Sequence, residues 1–166
     1  MELVYDHNGN IYEGTLIKYY SEDKKMSETP YKNGKIDGDV IEYHYNGLVS
    51  SITPYVEGVM HGVQRNYYQT GMLMETIPYE HGKINGTRCR YFETGLLEEE
   101  ADYVRDVLNG YVTHYNSDGT IRVKQEYKKG FPVTKIEEEK KETIIIPEEP
   151  EEKEELLSKE ELDRLL

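Results

Sequence analysis

Glycines spaced 24 residues apart constrain this chain more than any other feature of its sequence. A first series of them comprises Gly14, Gly38, Gly62, Gly86 and Gly110. A second series lies four residues ahead of the first and comprises Gly34, Gly58, Gly82 and Gly130, with Asp106 at the skipped position. A third series lies nine residues behind the first and comprises Gly47, Gly71, Gly95 and Gly119. Self-similarity at a fixed period is the signature of a repeat array, so we predict about five tandem copies of one small unit.

Tyrosines follow the same spacing. One set lies five residues past the first-series glycines and comprises Tyr19, Tyr43, Tyr67, Tyr91 and Tyr115. Another set comprises Tyr31, Tyr55, Tyr79, Tyr103 and Tyr127. An apolar or aromatic residue also stands two positions before each first-series glycine: Tyr12, Ile36, Met60, Ile84 and Leu108. The first set of tyrosines, together with Gly38, Gly62, Gly86 and Gly110, is predicted to be structural.

Each unit is predicted to be a β-hairpin. Residues 38–45 and 48–55 are rich in β-branched and aromatic residues, which favour strands. Between them, Asn46-Gly47 predicts a type I′ turn, in which both central residues have positive φ. The predicted fold is therefore all-β: an elongated, single-layer ribbon or solenoid of hairpins over residues 1–133. The low apolar content, 36%, suits such a thin array, in which each unit contacts only its neighbours.

The connections between hairpins carry the paired glycines. The second-series glycine is expected to turn the chain with positive φ. The first-series glycine, which has no side chain, is expected to receive a tyrosine ring from the adjoining unit. Pro30, Pro54 and Pro78 are expected to mark where the second strands end or bend, because proline cannot donate a backbone hydrogen bond.

Alternation along the first strands separates two faces of the ribbon. The face that carries Ile41 with Tyr43, and Cys89 with Tyr91, is predicted to be packed. The opposite face mixes aromatic and polar side chains, as protein-binding surfaces do. Its candidate partner-binding residues are Tyr20, His44, Tyr68 and Phe92. The alternative is that these side chains only cover neighbouring hairpins.

Negative charge limits the classes of partner. The formal net charge is −13, which disfavours nucleic acid and anionic lipid and would attract a basic protein. Solubility alone is the alternative use of this charge. The N-terminus lacks the basic and apolar regions of a signal peptide, and Cys89 is the only cysteine. We therefore expect a cytoplasmic protein without a disulfide.

The C-terminal part of the chain has a different composition. Residues 134–155 are rich in glutamate and read as a solvated linker, in which residues 143–146 could add as an edge strand. Residues 156–166 are predicted to form a short amphipathic helix, since Ser158 and Glu161 form a capping box. Its apolar side chains are further candidate partner-binding residues: Leu162, Leu165 and Leu166. This segment also resembles the peptide by which flagellar switch proteins bind the chemotaxis response regulator.

Catalytic patterns are absent from the sequence. The five histidines show no metal-ligand spacing, and the glycines lack the lysine and strand–helix context of a phosphate loop. We therefore expect a protein that is not an enzyme and that binds neither a cofactor nor a metal.

The pattern Tyr-x-x-Gly-x-apolar-x-Gly-x4-Tyr-aromatic-x2-Gly resembles the MORN repeat, most closely the bacterial variant found in YwqK-like antitoxins. Its clearest copies are residues 31–47, 55–71 and 79–95, and the first and fifth copies depart at Asp23 and Asp106. The resemblance implies a non-catalytic ribbon that binds proteins or, in some cases, phospholipid. We expect an antitoxin or immunity protein that binds a partner protein, such as a basic toxin. The alternatives are tethering through the C-terminal helix and peripheral membrane association. Edge pairing with a second copy is left open.

Overall fold

The computed structural model describes residues 3–134. These residues form β-strands and no helix. The long strands are β1 (Gly14–Ser21), β2 (Lys24–Lys32), β4 (Gly38–Tyr43), β5 (Val49–Val56), β7 (Gly62–Tyr67), β8 (Leu73–Glu80), β10 (Gly86–Tyr91), β11 (Leu97–Val104), β12 (Val107–Tyr115) and β13 (Ile121–Lys128). Four two-residue strands are β3 (Lys35–Ile36), β6 (Val59–Met60), β9 (Lys83–Ile84) and β14 (Phe131–Pro132).

The strands form one antiparallel sheet in chain order. Its hairpins are β1–β2, β4–β5, β7–β8, β10–β11 and β12–β13. Within the second hairpin six residue pairs face each other, from Gly38 opposite Tyr55 to Tyr43 opposite Val49. Strands β5 and β7 of adjacent hairpins share only two pairs, one of which is Ser51 opposite Asn66. The prediction of an all-β array of tandem hairpins is confirmed.

The sheet has no thick interior. The buried residues among those described are all small: Gly34, Ser51, Gly58, Ala101 and Thr113. Large side chains are half-buried or exposed, because each hairpin can cover only part of its neighbour. Residues 3–134 nevertheless all belong to one compact unit.

The prediction of type I′ turns at the hairpin tips is wrong. At the second tip Gly47 has a φ of 88°, whereas Asn46 is not among the residues with positive φ. The Gly47 N–H donates to the His44 carbonyl (2.9 Å), and the His44 N–H donates to the Leu48 carbonyl (2.8 Å). This is a three-residue loop in which only the glycine adopts the left-handed conformation.

Paired positive φ angles occur instead in the connections between hairpins. Glu57 and Gly58 have φ of 48° and 84°, as a type I′ turn requires. The other connections repeat this pair at Asn33-Gly34, His81-Gly82, Arg105-Asp106 and Lys129-Gly130. Positive φ at the second-series glycines is therefore confirmed. Each turn also hydrogen-bonds to the connection before it; for example, the Gly82 N–H donates to the Met60 carbonyl (2.8 Å).

Three of the five first-series glycines receive a ring from the adjoining hairpin, but the ring is proline and not tyrosine; Gly110 meets the Asp102 side chain instead. A Cβ placed on Gly62 would lie 3.0 Å from Cγ of Pro54, and its φ is 116°. Gly38 and Gly86 meet Pro30 and Pro78 in the same way, at 3.2 and 3.1 Å.

The prolines do not end their strands, because β2, β5 and β8 each continue two residues past them. Each proline carbonyl accepts a hydrogen bond from the next connection, such as that from the His61 N–H to Pro54 (3.1 Å).

The predicted structural tyrosines reach toward the preceding hairpin. The Tyr43 hydroxyl donates to Glu28 Oε1 (2.9 Å), and the Tyr115 hydroxyl donates to Glu100 Oε2 (2.7 Å). Both bonds span 15 residues of sequence and join a first strand to the second strand before it. Tyr19, in the first hairpin, is 51% exposed.

The linker over residues 134–155, apart from Thr134, lies outside the described residues. The predicted edge strand at 143–146 and the predicted helix at 156–166 also lie outside them, together with Leu162, Leu165 and Leu166.

Candidate functional site

The candidate partner-binding aromatic residues lie at the hairpin tips, where they join neighbouring hairpins. The Tyr20 hydroxyl donates to the Tyr43 carbonyl (3.0 Å), and the Tyr68 hydroxyl donates to the Tyr91 carbonyl (2.7 Å). Both bonds reach 23 residues along the chain, to the next tip.

His44 makes the same link with its imidazole, and its Nε2 lies 2.9 Å from the Tyr67 carbonyl. Because a carbonyl only accepts, this contact requires the proton on Nε2. Phe92 stands at the equivalent place without a polar atom. Tyr20, His44 and Tyr68 therefore contact neighbouring hairpins, as the alternative to partner binding predicts.

A row of exposed apolar side chains runs beside them. Leu48, Met72 and Leu96 each follow a third-series glycine, and their exposed fractions are 45%, 46% and 45%. We call these three residues the tip ridge. Sequence reasoning missed them, although the signal was present: an apolar residue directly after the tip glycine in three successive copies.

The tip ridge rests on backbone without side chains. Leu48 Cδ1 lies 3.5 Å from the position that a Cβ on Gly71 would occupy, and Met72 Cε lies 3.8 Å from that on Gly95. Leu48 and Met72 therefore lean over the next tip, whereas nothing lies within 4 Å of a Cβ placed on Gly119, beyond Leu96; all three ridge residues leave nearly half of their surface to solvent. The result is a regular line of apolar surface along one edge of the sheet.

Polar groups border the ridge. Asn46 Nδ2 donates to the Gln69 carbonyl (2.7 Å), and Thr70 Oγ1 donates to Glu93 Oε1 (2.8 Å). At the last tip, hydrogen bonds from the Thr120 side chain and backbone lower the pKa of Asp118. Glu93 and Asp118 are exposed, so acidic groups stand beside the apolar row.

Carboxylates on the sheet are held by internal partners. Glu75 Oε1 accepts from Arg88 Nε (2.7 Å), and Glu75 Oε2 accepts from Asn66 Nδ2 (2.9 Å). Burial opposes the charge of Arg88, but the hydrogen bond and the negative charge of Glu75, together with Tyr103, outweigh it and raise the pKa of the guanidinium. Glu42 accepts from the Ser51 hydroxyl (2.7 Å) in the same way. These groups brace adjacent strands.

The face predicted to be packed also contains ionisable pairs. Burial, followed by the bond to Glu28, raises the pKa of Tyr43. Hydrogen bonds from Lys25 and then from Tyr43 lower the pKa of Glu28. At the other end of the array, the bond to Glu100 and then burial raise the pKa of Tyr115.

The opposite edge of the sheet, formed by the connections, contains an open groove of about 660 Å³. Its lining residues are Lys35, Val56, Glu57, Val59, His61 and His81. The rings of His61 and His81 face each other with centroids 5.4 Å apart. Lys35 Nζ lies 3.8 Å from a Glu57 oxygen at the rim.

Residues 3–134 contain no group of three or more His, Cys, Asp or Glu side chains placed to hold a metal ion. In the same part of the chain, no helix is long and apolar enough to cross a membrane. Cys89 is a half-buried free thiol.

Comparison with protein families identifies the repeat. Three segments, residues 12–33, 60–81 and 108–129, match the family described as the MORN repeat variant. Each matched segment covers one complete hairpin, and the two intervening hairpins keep the same register, with Gly38 opposite Tyr55 and Gly86 opposite Tyr103. A search of curated proteins found no match. The resemblance to the MORN repeat is therefore confirmed at the level of the repeat variant.

Proposed function

We propose that this array of MORN-type hairpins is a non-catalytic scaffold that binds a protein partner through the tip ridge. The observation that carries the proposal is the exposure of three large apolar side chains, Leu48, Met72 and Leu96, at equivalent places on successive hairpins. Aligned apolar surface bordered by polar groups is typical of protein interaction sites. The tip glycines beneath the ridge support it, because they fix the spacing of the side chains.

The partner proposed is a basic protein. The chain has 33 acidic and 20 basic residues, and its net charge of −13 favours encounter with a positive surface. Glu93 and Asp118 offer carboxylates near the ridge for such a surface. In its sharpest form the proposal is an antitoxin or immunity protein that covers a basic toxin, as the resemblance implies.

The decisive experiment changes the ridge alone. The triple variant Leu48→Ser, Met72→Ser, Leu96→Ser should weaken capture of the basic partner from the native cell by about tenfold or more, since a buried apolar anchor contributes on the order of 1 kcal/mol or more to binding. The matched control is Val56→Ser with Val104→Ser, two valines that are 52% and 48% exposed on the opposite edge. Circular dichroism would check that each variant keeps its sheet.

Recovery of no basic partner at low salt would contradict the proposal, as would equal capture by the triple variant and wild type. If the partner is a toxin, co-expression of the wild-type chain should restore growth and the triple variant should not.

Two further experiments, a truncation and a lipid-binding assay, test the alternatives of tethering through the C-terminal helix and of membrane association. A chain that ends at residue 155 should still capture the partner; loss of capture would assign the interaction to the predicted C-terminal helix. Flotation with anionic vesicles should leave the protein unbound, because its net charge of −13 opposes contact with anionic lipid.

A further inference from the structure

A side chain stands directly before each of the five first-series glycines, and His61 departs from the bonding pattern of the other four. Each of the other four accepts a hydrogen bond from the backbone N–H of the residue 20 positions later, in the next turn. The pairs are Glu13 with Asn33 N (2.7 Å), Asp37 with Glu57 N (3.4 Å), Asn85 with Arg105 N (3.3 Å) and Asn109 with Lys129 N (3.3 Å). The remaining pair is His61, in the second connection, and His81, in the third, and no such bond joins these two residues. His61 has an imidazole where the other four residues have an oxygen acceptor, and the imidazole of His81 lies beside it.

From this pair we infer that His61 and His81 form a site for a divalent transition metal of the zinc, nickel or copper type. A zinc-bound imidazole nitrogen lies about 2.0–2.1 Å from the metal, and the ring centroid lies about 1.15 Å farther along that line. Two imidazoles that meet at a tetrahedral angle therefore have centroids about 5.2 Å apart. The observed separation is 5.4 Å, and the ring planes are inclined by 56°.

The backbone holds both histidines in place. The His61 N–H donates to the Pro54 carbonyl (3.1 Å), and His81 occupies the first position of a type I′ turn, with a φ of 50°. The following Gly82 N–H donates to the Met60 carbonyl (2.8 Å), which ties the two connections together. Binding therefore orders little beyond the χ1 and χ2 torsions of the two side chains, and a preorganised site loses less entropy on binding.

The groove leaves room around the two rings. Both histidines are exposed and line the groove of about 660 Å³, so the remaining coordination positions are open to water. Glu57 lines the same groove, but it is not placed to bind one ion together with both histidines, so the two imidazoles are the ligands that the described residues supply. Imidazole selects zinc, nickel and copper over magnesium and calcium, which prefer oxygen.

Calorimetric titration of the untagged full chain with Zn²⁺ or Ni²⁺ tests the site. Wild type should bind one equivalent, and His61→Gln and His81→Gln should each weaken that binding by about tenfold or more. The matched control is His7→Gln, which removes another exposed histidine and should bind as wild type does. Glutamate-rich residues 137–155 are present in every variant, so their contribution cancels.

Zinc should also raise the melting temperature of wild type and of His7→Gln, because the metal joins two adjacent connections and binds only the folded chain. Zinc should not raise the melting temperature of His61→Gln or of His81→Gln. Equal affinity and equal melting shifts in all four proteins would overturn the inference, as would no binding at about 100 μM metal. Mg²⁺ should produce no saturable heat.

Discussion

At the scale of single residues, hydroxyl groups join hairpins that are distant in sequence. Tyr43 reaches Glu28, 15 residues earlier, and Tyr20 reaches the carbonyl of Tyr43, 23 residues later. In a sheet with almost no buried apolar side chain, such bonds contribute a larger share of the stability than they would in a thick core. Bonds to a charged acceptor are the stronger ones.

Removing one of these hydroxyls tests its contribution. Tyr43→Phe should lower the free energy of unfolding by about 1–2 kcal/mol at neutral pH, because the bond to the Glu28 carboxylate is lost. Urea denaturation followed by circular dichroism measures the change. Tyr67→Phe is the matched control: the residue 15 positions earlier is Ile52, which offers no side-chain acceptor. Its expected change is below about 0.5 kcal/mol.

The same bond gives a pH dependence with a defined sign. The pKa of Glu28 is lowered from 4.5 by folding, so its contribution is present above pH 4.5 and is lost as pH falls through the lowered pKa. The pKa of Tyr43 is raised from 10.0, so its contribution is present below pH 10.0 and is lost as pH rises through the raised pKa. The effect of Tyr43→Phe should therefore shrink as the pH falls below the lowered pKa of Glu28. An unchanged difference there would assign the effect to packing.

The spacing of the sequence correctly predicted that Gly38, Gly62 and Gly86 contact a ring of the neighbouring hairpin. It predicted a tyrosine ring, whereas the structure has a proline ring. Gly62 and Pro54 meet because the pairing of β4 with β5 and of β5 with β7 brings Pro54 beside the start of β7. That contact depends on the register between strands, which a list of spacings does not contain. The tyrosines were placed correctly in the strands, and their partners 15 residues away could not be read without the same register.

At the scale of the element, the type I′ turns lie in the connections and not at the hairpin tips, where the sequence predicted them. Asn-Gly at the second tip favours a type I′ turn, but Thr70-Gly71 and Thr94-Gly95 occupy equivalent tips and share the three-residue loop. The type I′ turns lie in the connections. Their first central residue is Asn33, Glu57, His81, Arg105 or Lys129. Docking on the neighbouring connection thus outweighs the local preference of these residues.

The fourth connection shows how one unit manages without its glycine. Asp106 has a φ of 70°, and its Oδ1 accepts a hydrogen bond from the Ile84 N–H (2.7 Å). Asp106→Ala should destabilise the protein by about 1–2 kcal/mol, because it removes the acceptor and keeps the left-handed strain. Asp106→Gly should be within about 0.5 kcal/mol of wild type, since relief of strain offsets the lost bond. Urea midpoints of both variants give the comparison, and equal losses would refute this account.

At the scale of the whole molecule, stability is expected to depend on position in the array. A central hairpin has a neighbour on each side, whereas the outermost strands β1 and β13 each border a single long strand. In such arrays stability is a sum of unit and nearest-neighbour contributions. The fold class followed from the sequence because tandem periodicity admits few other solutions. The tip ridge did not, since exposure depends on how each tip overlaps the next.

Hydrogen exchange followed by mass spectrometry tests this gradient. Amides of β5, β7 and β8 should exchange at least about tenfold more slowly than those of β1 and β13, because local opening proceeds from the ends. The comparison is internal to one protein and needs no variant. Uniform exchange over all five hairpins would show that the array opens as one cooperative unit instead.

The scarcity of residue pairs at the junctions has a mechanical consequence. The junction of β11 with β12 has five pairs. Those of β2 with β4, β5 with β7 and β8 with β10 have only two each, whereas six pairs close the hairpin of β4 and β5. Bending stiffness is therefore lowest at these seams, and elastic deformation concentrates there while each hairpin stays rigid. Tension applied along the array should peel it apart in discrete steps, one hairpin at a time. Because bending is confined to the junctions, the array can follow a curved surface while each hairpin keeps its own structure.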